Sequence, residues 1–100
     1  MKAMWNNEIV AEASKEDLIR IEGNWYFPPA SLNRQYFSDS SHRTMCMWKG
    51  ESSYYDVTVD GAVNEFGAWY YPSIKDGAIE RVKKDFTNYV AFWNGIEVTE

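Results

Sequence analysis

Apolar and polar positions alternate in short runs along most of this chain, which is the signature of half-buried strands rather than long helices. Residues Lys2 to Trp5 and Ile9 to Ala11 flank Asn6-Asn7, a pair that tolerates positive φ, and so predict an opening hairpin. Leu18 to Glu22 puts Ile19 and Ile21 on one face. Gly23-Asn24 then turns the chain into Trp25-Tyr26-Phe27, which Pro28-Pro29 ends because proline has no N–H for a ladder. Ala30 to Gln35 fits one helical turn, and Ser38 to Ser41 reads as a loop on its composition. An apolar run, Met45 to Trp48, closes on Lys49-Gly50. Ser53 to Val59 is a strand with Tyr55, Val57 and Val59 on one face. Asp60-Gly61 turns it into a return at Ala62-Val63, and Ala68 to Tyr71 is a further strand stopped by Pro72.

One helix is predicted near residues 76–86, capped by Ser73 or Asp76, with Ile79, Val82 and Phe86 inward and Glu80, Arg81, Lys83 and Lys84 outward. A closing hairpin is expected from Tyr89 to Trp93, Asn94-Gly95 and Ile96 to Val98. Seven or eight short strands with one late helix make a mainly β single domain over residues 1–100. Its antiparallel hairpins would form a strongly bent, tent-like or barrel-like sheet.

Composition sharpens this picture. In 100 residues, 17% are aromatic, enough for a few rings to anchor a small core without disulfides. The net charge of -5 and the scattering of ten basic residues argue against nucleic-acid binding. No apolar run approaches the roughly 18 residues of a membrane span, and the opening residues, without an apolar stretch of useful length, lead us to expect no signal peptide. The single cysteine, Cys46, excludes an internal disulfide, so a cytoplasmic monomer or homodimer is the expectation.

Reactive side chains gather in one stretch, His42 to Gly50. It holds the only histidine, the only cysteine, Arg43 and Lys49. Cations lower the pKa of a thiol and favour the nucleophilic thiolate, so Cys46 and Lys49 are the catalytic candidates, with His42 as a possible base or Lys49 as an anion anchor. The plainer reading makes Cys46 a small apolar strand residue and Lys49 an ordinary strand-end lysine. A metal is not expected, because one histidine and one cysteine fall short of a usual zinc set. No phosphate-cradling glycine loop and no Asp-x-Asp clamp for magnesium occurs, and no cofactor is implied. Among the aromatic groups, Tyr54, Trp69 and Tyr71 are candidates to wall a ligand site, joined by His42 and Arg43, while most other rings serve the core.

Several phrases read in order carry a resemblance. Tyr26-Phe27-Pro28, then Thr44-x-Cys46-x-Trp48-Lys49-Gly50-x-x-Ser53-Tyr54, then Ala68-Trp69-x-Tyr71-Pro72, then Tyr89 to Phe92 resemble the domain of unknown function 427 family, which is also labelled a nucleotidyltransferase domain. The resemblance covers nearly the whole chain and implies a compact, mainly β domain of bacterial type without an established function. Cys46, Lys49, Gly50, Tyr54, Trp69, Tyr71 and Pro72 match its signature; Met47 and Ser73-Ile74 depart from it where prolines are usual. Nucleotidyl transfer gains nothing from the residues, since carboxylates for metal ions and donors for a triphosphate are missing. Two readings stand ahead of it. The first is a small-molecule site, with or without catalysis, around Cys46, Lys49, Tyr54 and Trp69. The alternative is a non-catalytic binding or protein-interaction module.

Overall fold

The computed structural model describes residues 1–100. Nine strands and one helix follow in order: β1 (Lys2–Trp5), β2 (Glu8–Glu12), β3 (Ile19–Ile21), β4 (Asn24–Tyr26), β5 (Phe37–Cys46), β6 (Gly50–Val59), β7 (Ala62–Tyr70), α1 (Ala78–Val82), β8 (Val90–Phe92) and β9 (Glu97–Thr99). Three open antiparallel sheets result, in the orders β2-β1-β9, β3-β4 and β5-β6-β7-β8; none closes into a barrel. Backbone bonds exchanged between Phe27 and Val90 at 2.8 and 2.9 Å fasten the β3–β4 hairpin to the end of the four-stranded sheet. No helix is long and apolar enough to cross a membrane.

Side-chain alternation along the strands divides the core in two. Ala68 on β7 and Val90 and Phe92 on β8 face a cluster with Ala3, Val10, Ala11, Val57 and Val59, so the three-stranded sheet packs on this side. Ala91 and Trp69 face the other way, onto a second cluster of Ile19, Ile21, Tyr26, Tyr71, Ala78 and Phe86. That second cluster is where the β3–β4 hairpin and the segment after β7 cover the sheet.

Four two-residue turns place both residues in the left-handed region: Asn6-Asn7, Glu22-Gly23, Asp60-Gly61 and Asn94-Gly95. Only residues without a Cβ, or with a short polar side chain, adopt it cheaply. Three of these turns begin with Asn or Asp, as hairpin chemistry favours. The fourth begins with Glu22, and it sits one residue earlier than the Gly23-Asn24 turn expected from the sequence.

The structure corrects five other expectations. Ser38 to Ser41 is strand, not loop: it belongs to β5, an edge strand whose side chains are mostly exposed, so burial left no mark on its composition. Residues 62 to 70 form one strand rather than two short ones, with an irregularity opposite Asp56. The helix is one short turn and a half, Ala78–Val82, because Lys83 adopts φ 74° and ends it; Gly77 precedes it with no side-chain cap. Phe86 is still fully buried, in the irregular segment beyond. The last strands do turn at Asn94-Gly95, yet they make no hairpin: β8 pairs with β7 and β9 with β1. Ala30 to Gln35 holds two 3-10 turns, Pro29–Ser31 and Arg34–Tyr36, in place of a helical turn.

Candidate functional site

Strand β5 ends at Cys46, and a tight connection of Met47, Trp48 and Lys49 leads to Gly50, whose φ of 123° makes the bend available. The Lys75 N–H donates to the Lys49 carbonyl at 2.9 Å, and the Ser73 carbonyl lies so close to Gly50 that a Cβ there would stand 3.0 Å from it. The backbone at Lys49 is thereby held from the side of the segment after β7. Its side chain turns inward and is only 7% exposed. The ammonium lies 4.9 Å from the centre of the Trp48 ring and 5.6 Å from that of Tyr71, within cation–π range. It donates to the Glu22 carboxylate, which reaches in from the β3–β4 turn.

This pair is lopsided. The Glu22 side chain is 54% exposed although its partner is buried. Hydrogen bonding to Lys49 is the main cause that holds the Glu22 carboxyl below its ordinary value, with a smaller charge effect from Arg81. Arg81 itself lies over the Trp48 ring, 4.3 Å from its centre.

On its inner side Lys49 borders a cavity of about 230 Å³, walled by Asn24, Tyr26, Tyr54, Trp69, Tyr71 and Trp93. Strand register puts these rings together. Tyr54 of β6 is the direct cross-strand partner of Trp69 of β7. The Trp69 indole N–H donates to the Tyr26 hydroxyl at 3.1 Å, and Trp93 meets Trp69 edge to face at 6.3 Å. The Tyr54 hydroxyl is tied to Thr44 at 2.9 Å, and Thr44 is tied to Ser52 in turn. Burial raises the phenols of Tyr26 and Tyr71 above the usual tyrosine value, so both stay protonated through the neutral range. The cavity therefore combines aromatic walls, neutral hydroxyls, one amide and one cation.

Of the residues singled out by sequence, Lys49, Tyr54, Trp69 and Tyr71 share this cavity. Cys46 is half-buried and packs against the second cluster beside them without lining it. His42 and Arg43 lie elsewhere. They border a wide polar depression of about 840 Å³ with Asp39, Ser40, Ser41, Asp56, Glu65 and Phe66. There the His42 ring stacks on Phe66 at 4.6 Å, and Phe66 adopts φ 43° with its N–H bonded to Asp56 and its carbonyl to the Trp93 indole. His, Cys, Asp and Glu side chains form no group of three or more able to hold a metal ion.

Sequence reasoning missed Glu22, Asn24, Tyr26 and Trp93. One signal for Glu22 was available, since glutamate is an unusual opening residue for a turn of this kind. Tyr26 and Trp93 sat among several aromatic runs, and only the fold separates those facing the cavity from those facing the core. Compared with known proteins, the whole chain, residues 1–100, matches the family model described as Domain of unknown function (DUF427). A search of curated proteins gives no match.

Proposed function

The chain belongs to the domain of unknown function 427 family, and from that premise we propose that it binds a small, ring-shaped molecule in the aromatic cavity beside Lys49. The observation that carries this reading is the buried Lys49 ammonium bordering a cavity walled by Tyr26, Tyr54, Trp69, Tyr71 and Trp93. A flat core would do with fewer polar groups. Taking a lysine out of water is costly, and a satisfied hydrophobic residue of the same length would avoid that cost. The size supports a ligand of one ring: drug-sized sites occupy roughly 300–1,000 Å³, and this cavity has about 230 Å³. The aromatic faces would stack on the ring, and the hydroxyls, Asn24 and Lys49 would fix its polar edge.

Binding, rather than thiol chemistry, is what the arrangement supports, because the Cys46 sulfur has no part in the cavity wall. The five tryptophans supply the test. Indole N–H signals are followed by NMR while a panel of single-ring compounds (benzoate, benzamide, benzylamine, imidazole) is titrated. Saturable shifts at Trp69 and Trp93, with Trp5 and Trp25 unmoved, are expected. Shifts spread evenly over all five indoles, or none at all, would remove this reading.

A further inference from the structure

We propose that the cavity selects ring-bearing carboxylates, and that Glu22 is a displaceable latch whose place on the Lys49 ammonium the ligand's carboxylate takes. This rests on the reading of the cavity as a small-molecule site and adds the charge of what it holds.

The two halves of the ion pair are unequally committed. Lys49 is pinned through its backbone, flanked by two rings and 7% exposed, so its charge cannot follow a departing partner into water. Glu22 is more than half exposed on a hairpin turn and can be rehydrated by side-chain rotation alone. Lys49 is also the only ionised residue in the cavity wall, and Glu22 is not part of that wall. Glu22 lies instead in a neighbouring groove with Arg20, Trp48 and Arg81.

Local structure does not account for a glutamate at this position. Glu22 adopts φ 51° in the slot that Asn6, Asp60 and Asn94 fill in the other turns. Asn and Asp offset a left-handed backbone with short-range hydrogen bonds, which the longer glutamate does less well. What the longer side chain adds is reach to Lys49. The groove also offers the carboxylate a second cation: Arg81, held over Trp48, already contributes to lowering the Glu22 pKa. Glu22 thus has somewhere to go when an anion arrives from the cavity side. A carboxylate attached to a ring suits this wall, its oxygens meeting the ammonium and its ring the aromatic faces.

The experiment compares benzoate with benzamide, which share ring and size and differ in charge, by NMR at Trp69 and Trp93 and by thermal shift. It uses the wild type, Glu22→Gln and Lys49→Met. Wild-type protein should bind benzoate more tightly than benzamide. Glu22→Gln should strengthen benzoate several-fold and leave benzamide unchanged, and Lys49→Met should erase the preference for benzoate. If benzamide shifts Trp69 and Trp93 as strongly as benzoate does, and Glu22→Gln fails to favour benzoate, the latch is wrong while the cavity remains a ligand site. If neither probe moves those indoles in any variant, the cavity reading falls and the latch with it. Should either variant prove too unstable to titrate, the other decides: Glu22→Gln by a strengthened preference for benzoate, Lys49→Met by its loss.

Discussion

The Trp69 indole and the Tyr26 hydroxyl, 43 positions apart in sequence, meet through a hydrogen bond of 3.1 Å with their rings perpendicular and 6.2 Å apart. This contact joins β7 to the β3–β4 hairpin and sets the back of the cavity. Tyr26→Phe keeps the ring and removes the acceptor, leaving the Trp69 donor without a partner. An unpaired donor costs roughly 1–3 kcal/mol when fully buried, and about 1 kcal/mol is expected here because Trp69 retains some solvent contact. Urea denaturation of the variant measures the loss, and faster exchange of the Trp69 indole proton should accompany it.

A second prediction concerns the irregularity in β7. Glu65, Phe66 and Gly67 lie opposite Asp56 alone, between the pairs Asn64–Val57 and Ala68–Tyr55. A Cβ at Gly67 would stand 2.6 Å from the Asn64 side-chain oxygen and 3.0 Å from Ile96. Asn64 is buried and donates to the Asn94 carbonyl at 2.9 Å, so it has little freedom to move away. Gly67→Ala should therefore cost about 1–3 kcal/mol by overpacking, read as a lowered denaturation midpoint. The Trp93 indole signal should shift as well, because Trp93 bonds to the carbonyls of Phe66 and Gly67.

These two contacts mark what could and could not be read from sequence. Hairpin turns at Asn6-Asn7 and Asp60-Gly61 were legible because their chemistry is local. The β5 segment from Ser38 to Ser41 was not, since an exposed edge strand carries polar side chains that look like a loop. The last turn was legible and its consequence was not. Asn94-Gly95 reverses the chain, but β7 and β1 are the partners that claim the flanking strands. At the site, Lys49, Tyr54, Trp69 and Tyr71 stood out by residue type and fall around one cavity. Glu22 reaches Lys49 across 27 positions, a pairing that no spacing rule encodes. His42 was grouped with Cys46 by proximity in sequence, yet the strand carries it to the polar depression beside Phe66.

Acid should weaken the Glu22–Lys49 pair in a defined window. The Glu22 carboxyl is held below its ordinary value of 4.5, chiefly by the hydrogen bond from Lys49. A lowered folded-state pKa contributes stability that is present above the unfolded value and is lost as pH falls through the folded one. The difference in Tm between wild type and Glu22→Gln should therefore be constant above about pH 4.5 and close below it. A difference that stays unchanged down to the acid unfolding of the protein would show that the pair contributes nothing to folding.

The same asymmetry predicts that the two halves of the pair respond unequally to removal. Deleting one partner of a buried ion pair is severe because it strands a charge away from water, by roughly 3–5 kcal/mol for a fully buried case. Lys49→Met strands nothing of the kind, since the carboxylate left behind is already more than half in water. Methionine also preserves most of the length that packs between Trp48 and Tyr71, so the variant should stay within about 1 kcal/mol of wild type. Glu22→Gln has the opposite effect: the ammonium remains 7% exposed with only a neutral amide and ring faces to offset its desolvation. It should be the more destabilising of the two, although the residue replaced is the exposed one. Chemical denaturation of both variants at neutral pH checks the order. If Lys49→Met proves the costlier change, the lysine is held by packing rather than by its counter-ion, and the charge would not be available to a ligand.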